Sequence, residues 1–176
     1  KYYDPEIECL PRPELEQLQL ERLKETAKRC YDNVEFFKQK FDEAGVKPED
    51  IKSLDDITKL PFTTKQDMRD NYPYGLFAVP LSDCIEIHMS SGTTGVATVS
   101  GYTQNDIDAW SDCFARGIGY AGGDENDVLH VCYGYGLFTG GLGAHYGGLK
   151  AQCTTIPMSA GNTPRQINVL RNLGSS

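Results

Sequence analysis

An α/β fold is predicted, with an amino-terminal helical segment followed by part of a mixed or parallel sheet with flanking helices. Three observations carry that prediction. Strand-like and helix-like stretches alternate from residue 84 to residue 173, the rhythm of parallel strands joined by right-handed crossovers. DVLHVCY, residues 127–133, is a continuous and mostly apolar run, the mark of a strand covered on both faces. Residues 1–80 instead combine helical periodicity with prolines that punctuate it.

Pro11 and Pro13 stand where a helix would begin, since proline is pre-organised for the first turn. Leu15, Leu18, Leu23, Ala27, Tyr31 and Val34 then recur at roughly helical spacing, and Phe36, Phe37 and Phe41 continue the pattern up to Gly45. Two amphipathic helices, or one kinked helix, are expected there. Residues 51–80 carry prolines at 61, 73 and 80 and read as an irregular connection with short helical turns.

CIEIHM at 84–89 and ATVSGYT at 97–103 alternate as strands do. Thr103 is placed to cap a helix whose Ile107, Trp110, Phe114, Ile118 and Ala121 share one face and which Gly122 and Gly123 end. Trp110 and Tyr120 are expected in the core. After the 127–133 strand, Phe138, Leu142, Tyr146 and Leu149 return at helical spacing despite the glycines between them. AQCTTIPM is a further strand and TPRQINVLRNL a further helix, with Thr163 and Pro164 in its cap and first turn. The chain stops at Ser176, where the next strand of such a rhythm would begin, so an incomplete domain is expected.

Composition narrows the function classes. The chain has 176 residues, 39% of them hydrophobic and 24% charged, and a formal net charge of −8. That balance excludes a nucleic-acid surface, which needs clustered Lys and Arg. No apolar run approaches the ~20 residues of a membrane-spanning helix, and the first residues lack the order of a signal peptide. A cytoplasmic protein is expected, with no membrane partner. The six cysteines are widely spaced without a C-x-x-C pair, a pattern that predicts reduced and mostly buried thiols. The three histidines are scattered too, so no metal site is expected.

The most telling stretch is SSGTTG, Ser90 to Gly95, between two strand-like segments. Glycine lets the backbone approach an anion, and the hydroxyls and amides of such a loop can converge on phosphate oxygens. The loop is not a Walker A sequence, because Gly95 is followed by Val96 and Ala97 rather than by Lys and a hydroxyl residue. A dinucleotide fingerprint is excluded as well. The residues alone leave a phosphate loop and a bare hairpin turn equally open.

SSGTTG resembles the phosphate loop of the adenylate-forming superfamily. VSGYTQNDIDAW from Val99, YGYGLFTGGLGAHYG from Tyr133 and LPFTTKQDMRDNYPYGLFAVP from Leu60 resemble the phenylacetate–coenzyme A ligase family within it. The resemblance runs from about Tyr2 to Leu173. It implies the amino-terminal part of an enzyme that joins an aryl acid to AMP from MgATP and then passes the acyl group to coenzyme A. It implies that Ser90, Ser91, Gly92, Thr93, Thr94 and Gly95 hold the β- and γ-phosphates. It also implies that Tyr135, Gly136, Phe138, Gly140 and Gly141 form part of the aryl-acid pocket, with Gly134 leaving further room. For Tyr135 and Phe138, plain packing of the strand–helix junction is an equal alternative. Tyr133 is expected to pack there, and His145 to be a hydrogen-bonded supporting group.

On the same resemblance, residues 1–80 are an amino-terminal segment, residues 81–176 an incomplete nucleotide- and acid-binding subdomain, and the carboxy-terminal domain, with the lysine expected to contact the reacting carboxylate, lies outside the chain. ATP, Mg and coenzyme A are the implied cofactors, and a small aryl carboxylic acid is the implied partner. A homodimer is compatible with the sequence but not specified by it. Family loops of this kind commonly continue as SSGTTGKPT, whereas Val96 stands here in place of the lysine. Weaker ATP binding than in a lysine-bearing relative is therefore expected. Two alternatives stay open: a naturally truncated, non-catalytic nucleotide-binding or interaction module, and a ligase that adenylates a deazaflavin-type cofactor.

Overall fold

A computed structural model of the chain describes residues 2–90 and 97–176; Lys1, Ser91, Gly92, Thr93, Thr94, Gly95 and Val96 lie outside the described residues. The chain divides into two compact units. Cys9–Cys84, with the described part of Ser91–Gly101, form a largely helical unit, and Lys1–Glu8, Ile85–Ser90 and Tyr102–Ser176 form an α/β unit.

In the helical unit, helix α2 (Arg12–Asn33) begins after Pro11, with Pro13 in its first turn. Helix α3 (Glu35–Glu43) follows after one extended residue, Val34, at φ −125° and ψ 106°. The sequence left one kinked helix or two helices open, and the answer is two. Val34 suits the break because a β-branched side chain favours extended backbone, and its side chain is buried. Gly45 ends α3 at φ +67°, with its amide bonded to the Asp42 carbonyl and the Val46 amide to that of Phe41. That pair of bonds satisfies carbonyls the helix leaves open. Ala27, Phe41 and Ile51 form the core, flanked by Leu20, Leu23, Tyr31 and Leu60.

The proline-rich connection consists of single 3₁₀ turns over Pro48–Asp50 and Leu81–Asp83, a two-turn 3₁₀ helix over Leu54–Lys59 and one short α-helix, α4 (Lys65–Asp70). Thr64 caps α4: its hydroxyl accepts from the Asp67 amide, and Asp67 accepts from the Thr64 amide in return. Lys40 of α3 reaches the same carboxylate at 2.7 Å, tying α4 to the helix pair.

The α/β unit opens with a short helix, α1 (Pro5–Glu8), which the sequence reading did not foresee. Strand β1 (Glu86–Met89) follows; of strand β2 (Val99–Tyr102) only Tyr102 belongs to this unit, and its carbonyl accepts from the Ile85 amide. Thr103 caps helix α5 (Gln104–Tyr120) as expected, its side chain accepting from the Asp106 amide, and Gly122 follows the helix at φ +99°. Strand β3 (Val128–His130) and strand β4 (Thr154–Ile156) pair in parallel, with Leu129 opposite Thr155, and helix α6 (Gly140–Lys150) connects them. Helix α7 (Thr163–Leu173) is capped by Asn162 rather than Thr163, with Asn162 Oδ1 accepting from the Arg165 amide at 3.2 Å. Past α7 the chain meets the open edge of β3, where the Ser176 amide donates to the Val128 carbonyl.

Several expectations need correction. β3 is shorter than 127–133 and its three residues are half-buried; β4 is its one strand neighbour among the described residues, and the chain turns away after Val131. The buried positions of α5 are Ile107, Ser111, Ala115 and Gly119, and Tyr120 is 91% exposed rather than in the core. On α6 the buried positions are Gly141, Gly143, Gly147 and Gly148, while Leu149 is exposed. Of the six cysteines, all of them free, only Cys153 is buried, and Cys9, Cys113 and Cys132 are exposed.

The glycines of α6 account for much of this pattern. A Cβ on Gly143 would lie 2.5 Å from the Trp110 ring, one on Gly147 2.3 Å from Phe114 Cβ, and one on Gly148 2.5 Å from Leu129. Helix α6 therefore lies against α5 and β3 at a distance only glycine permits, and the long side chains of α5 fill the grooves that result.

Candidate functional site

The acid-pocket candidates fall on the turn between β3 and α6. Tyr135 is half-buried, Gly136 faces open space, and Tyr133, Leu137 and Phe138 are exposed, Phe138 by 54%. The turn thus presents large apolar side chains outward. Tyr135 is held from behind: its hydroxyl lies 3.2 Å from His145 Nδ1 on α6, and its amide approaches Ser159 Oγ at 3.5 Å. Burial pushes the Tyr135 hydroxyl pKa up. His145 is in hydrogen-bonding contact with Tyr135, within the α6 helix.

Gly140 and Gly141 stand at the start of α6, where the space beside them is filled by the chain itself. A Cβ on Gly140 would meet the Tyr133 ring at 2.3 Å, and one on Gly141 the Gly134 carbonyl oxygen at 2.4 Å. These two glycines let the turn fold back onto the helix. Tyr133 packs at that junction, as the sequence suggested.

The phosphate-loop candidates divide. Ser90 is half-buried directly after β1, whereas Ser91, Gly92, Thr93, Thr94 and Gly95 lie outside the described residues. Just before Ser90 the strand is anchored to the turn that carries the acid-pocket candidates. The Met89 amide donates to the Leu137 carbonyl at 2.9 Å, and His88 Nδ1 lies 3.0 Å from that same oxygen. His88 is 2% exposed. Its Nε2 is 2.5 Å from Glu86 Oε1, and Tyr146 donates its hydroxyl to Glu86 Oε2 at 2.7 Å. That bond, with burial behind it, raises the Tyr146 pKa to about 12.

Aromatic rings surround these polar groups. His88 meets Tyr102 and Trp110 edge-on at 5.2 and 5.6 Å, and Tyr102 stacks on Trp110 at 5.4 Å. Trp110 touches Tyr146 edge-on at 6.1 Å, Tyr146 touches His145 at 6.0 Å, and His145 touches Tyr135 at 5.9 Å. Such edge-on and offset contacts are favourable beyond the area they bury. Together they form a continuous path from Tyr102 to Tyr135.

Sequence reasoning passed over Glu86, His88, Tyr146 and Ser159. The signal for the first two was present in EIHM, where alternation puts Glu86 and His88 on one face of the strand, two polar groups immediately before the loop. Tyr146 read as an apolar helix position, and nothing in the sequence connects Ser159 with Tyr135. Among the described residues, no group of three His, Cys, Asp or Glu side chains could hold a metal ion. No helix among them is long and apolar enough to cross a membrane.

Known proteins resemble the chain closely. The chain is 56% identical over 158 residues to the phenylacetate-coenzyme A ligase of Pseudomonas putida, covering 90% of the chain. It is 55% identical over 169 residues to the Escherichia coli protein of that name, and 47% identical over 170 residues to that of Thermus thermophilus. Over nearly its whole length the chain is similar to part of the phenylacetate-coenzyme A ligases.

It spans 36% of the length of the Pseudomonas relative and 38% of that of the other two. No family model matches the chain. In fold it matches part of the adenylate-forming ligases. A crystal structure of 2-hydroxyisobutyryl-CoA ligase in the postadenylation state, in complex with 2-HIB-AMP, superposes over 94% of the chain with a TM-score of 0.85 at 26% identity. An open conformation of that ligase, in complex with 2-HIB-AMP and CoA, superposes with a TM-score of 0.86. The chain spans 36% and 40% of those two structures. The α/β class expected from the sequence is that of the structure, and its counterpart is part of a larger adenylate-forming enzyme.

Proposed function

We propose that this chain supplies the phosphate loop and part of the acid pocket of an AMP-forming ligase that activates a small aryl acid, phenylacetate or a close relative, and transfers it to coenzyme A. The observation that carries this reading is the identity of 47–56% with phenylacetate-coenzyme A ligases over nearly the whole chain. Activation is needed because a carboxylate is a poor acyl donor. Attack of the acid on the α-phosphorus of ATP gives an acyl-adenylate and pyrophosphate, and the coenzyme A thiolate then displaces AMP.

Within that scheme residues 1–80 are scaffold, and residues 81–176 carry the binding groups. Ser90, Ser91, Gly92, Thr93, Thr94 and Gly95 hold the β- and γ-phosphates, so that the α-phosphorus is presented for in-line attack and the departing charge is stabilised. Mg enters as the counter-ion of the nucleotide. Tyr135, Gly136 and Phe138 line the aromatic ring of the acid, and Gly140 and Gly141 set the depth of that wall by letting the turn seat against α6. The exposed apolar side chains of the turn support this assignment, since pockets for flat ligands are built of such groups.

The test is pyrophosphate release by the protein that carries this chain, screened over aryl acids, aliphatic acids and a deazaflavin. Release with phenylacetate-like acids, followed by thioester formation once coenzyme A is added, is expected. Release with a deazaflavin alone would transfer the assignment to a different acceptor.

A further inference from the structure

The buried polar groups beneath Ser90 are arranged more closely than packing alone requires. A backbone carbonyl can only accept, so the 3.0 Å contact between His88 Nδ1 and the Leu137 oxygen fixes the ring proton on Nδ1. Nε2 and Glu86 Oε1, 2.5 Å apart, would both be acceptors without a further proton, so one proton lies between them. Glu86 Oε2 takes the Tyr146 hydroxyl proton at 2.7 Å. Every polar atom of the set is thereby matched in a site whose central ring is 2% exposed, as a buried polar network must be. Its output is a single backbone atom, the Leu137 carbonyl, between Tyr135 and Phe138.

We propose that His88 is a positioning residue for the acid-binding turn, with Glu86 and Tyr146 holding its ring so that Nδ1–H fixes the Leu137 carbonyl and hence the placement of Tyr135 and Phe138. The inference rests on the acid-pocket reading above and adds a named device to it. His88 touches no reacting atom; it acts through Leu137. The two ring nitrogens have separate partners, so two substitutions separate their roles. In His88→Asn the side-chain amide takes the place of Nδ1–H and keeps the bond to Leu137, while the link to Glu86 is lost. In His88→Gln the amide extends toward Glu86 and the Leu137 bond is lost.

The experiment measures KM for the aryl acid and for ATP in the ligase that carries this chain. His88→Gln is expected to raise the acid KM about tenfold with the ATP KM changed less than about twofold, whereas His88→Asn keeps the acid KM within about threefold of the unaltered protein. Equal effects of the two variants on the acid KM, or none from either, would overturn the proposal. A second readout needs neither variants nor turnover: ¹⁵N resonances of the His88 ring in the unaltered protein are expected to show a protonated Nδ1, and an unprotonated Nδ1 would overturn the proposal. Failure of the unaltered protein to release pyrophosphate with any aryl acid would count against the acid-pocket reading, and the ring resonances would still decide the state of His88.

Discussion

Gly143 of α6 and Trp110 of α5 stand so close that a methyl group on the glycine would reach 2.5 Å from the indole ring. Gly147 and Phe114 repeat the relationship one turn on, at 2.3 Å. Gly143→Ala should therefore destabilise the chain by about 1–2 kcal/mol, because overpacking costs about 1–3 kcal/mol and outweighs the gain of up to about 1 kcal/mol in helix propensity. Gly117 of α5 is the control, since nothing lies within 4 Å of its missing Cβ, and Gly117→Ala should stabilise by about 0.5–1 kcal/mol. Urea denaturation of both variants checks this. Stabilisation by Gly143→Ala would mean that the helices are farther apart than described.

Glu86 and Tyr146 make a titration prediction. The bond to Glu86, and then burial, raises the Tyr146 pKa to about 12, against an ordinary tyrosine value of about 10. A raised folded pKa means stabilisation that is complete below about pH 10 and is lost as pH rises toward 12. Tyrosinate absorbance, compared with that of Tyr146→Phe, should show Tyr146 among the last tyrosines to ionise. Glu86→Gln should bring that ionisation back toward the ordinary value, and no change on that substitution would remove Glu86 as its cause.

In the helical unit the titration runs the other way. The Lys40 ammonium at 2.7 Å, with the Thr64 amide and hydroxyl, holds the Asp67 carboxyl at about 2, below the usual value of about 3.9. A depressed folded pKa gives stabilisation that is present above about pH 4 and lost as pH falls through 2. The difference in urea midpoint between the unaltered chain and Asp67→Asn should be present at about pH 6 and vanish near pH 2. A difference that persists at the acid end would assign it to something other than the carboxylate.

Thiol reactivity separates the cysteines. Cys9, Cys113 and Cys132 are exposed and should react first with an aromatic disulfide. Cys153 is buried, its thiol pKa is raised by that burial, and it donates to the Asp124 carbonyl at 3.3 Å. It should react last, because the thiolate is the reactive form. Fast labelling of Cys153, located by peptide mass, would contradict the packing of the 151–153 turn.

Much of the fold was legible because local chemistry dictates it. Thr103 with Asp106 closes a reciprocal cap, Gly45 and Gly122 take positive φ where their helices end, and strand–helix alternation led to the parallel pair β3 and β4. Long-range closeness was not legible in the same way. The apolar spacing of Phe138, Leu142, Tyr146 and Leu149 suggested the buried face of α6, yet the glycines between them are buried, because their lack of side chains is what brings α5 near. Tyr120 lies in the α5 pattern but faces water at its end. At the candidate site the aromatic turn could be found from its residues alone. The alternation of EIHM marks Glu86 and His88 as two polar groups on one strand face, but not their partners Leu137 and Tyr146, 49 and 60 positions away.

The central proposal places the acid site on the turn that carries Tyr135 and Phe138, and its most direct test is the KM for phenylacetate in Phe138→Ala of the ligase that carries this chain. Phe138 is 54% exposed, so its truncation leaves the folded core intact. An acid KM raised about tenfold or more, with the ATP KM unchanged, is the expected result for a lost aromatic wall. An unchanged acid KM would contradict the assignment and place the aryl ring elsewhere.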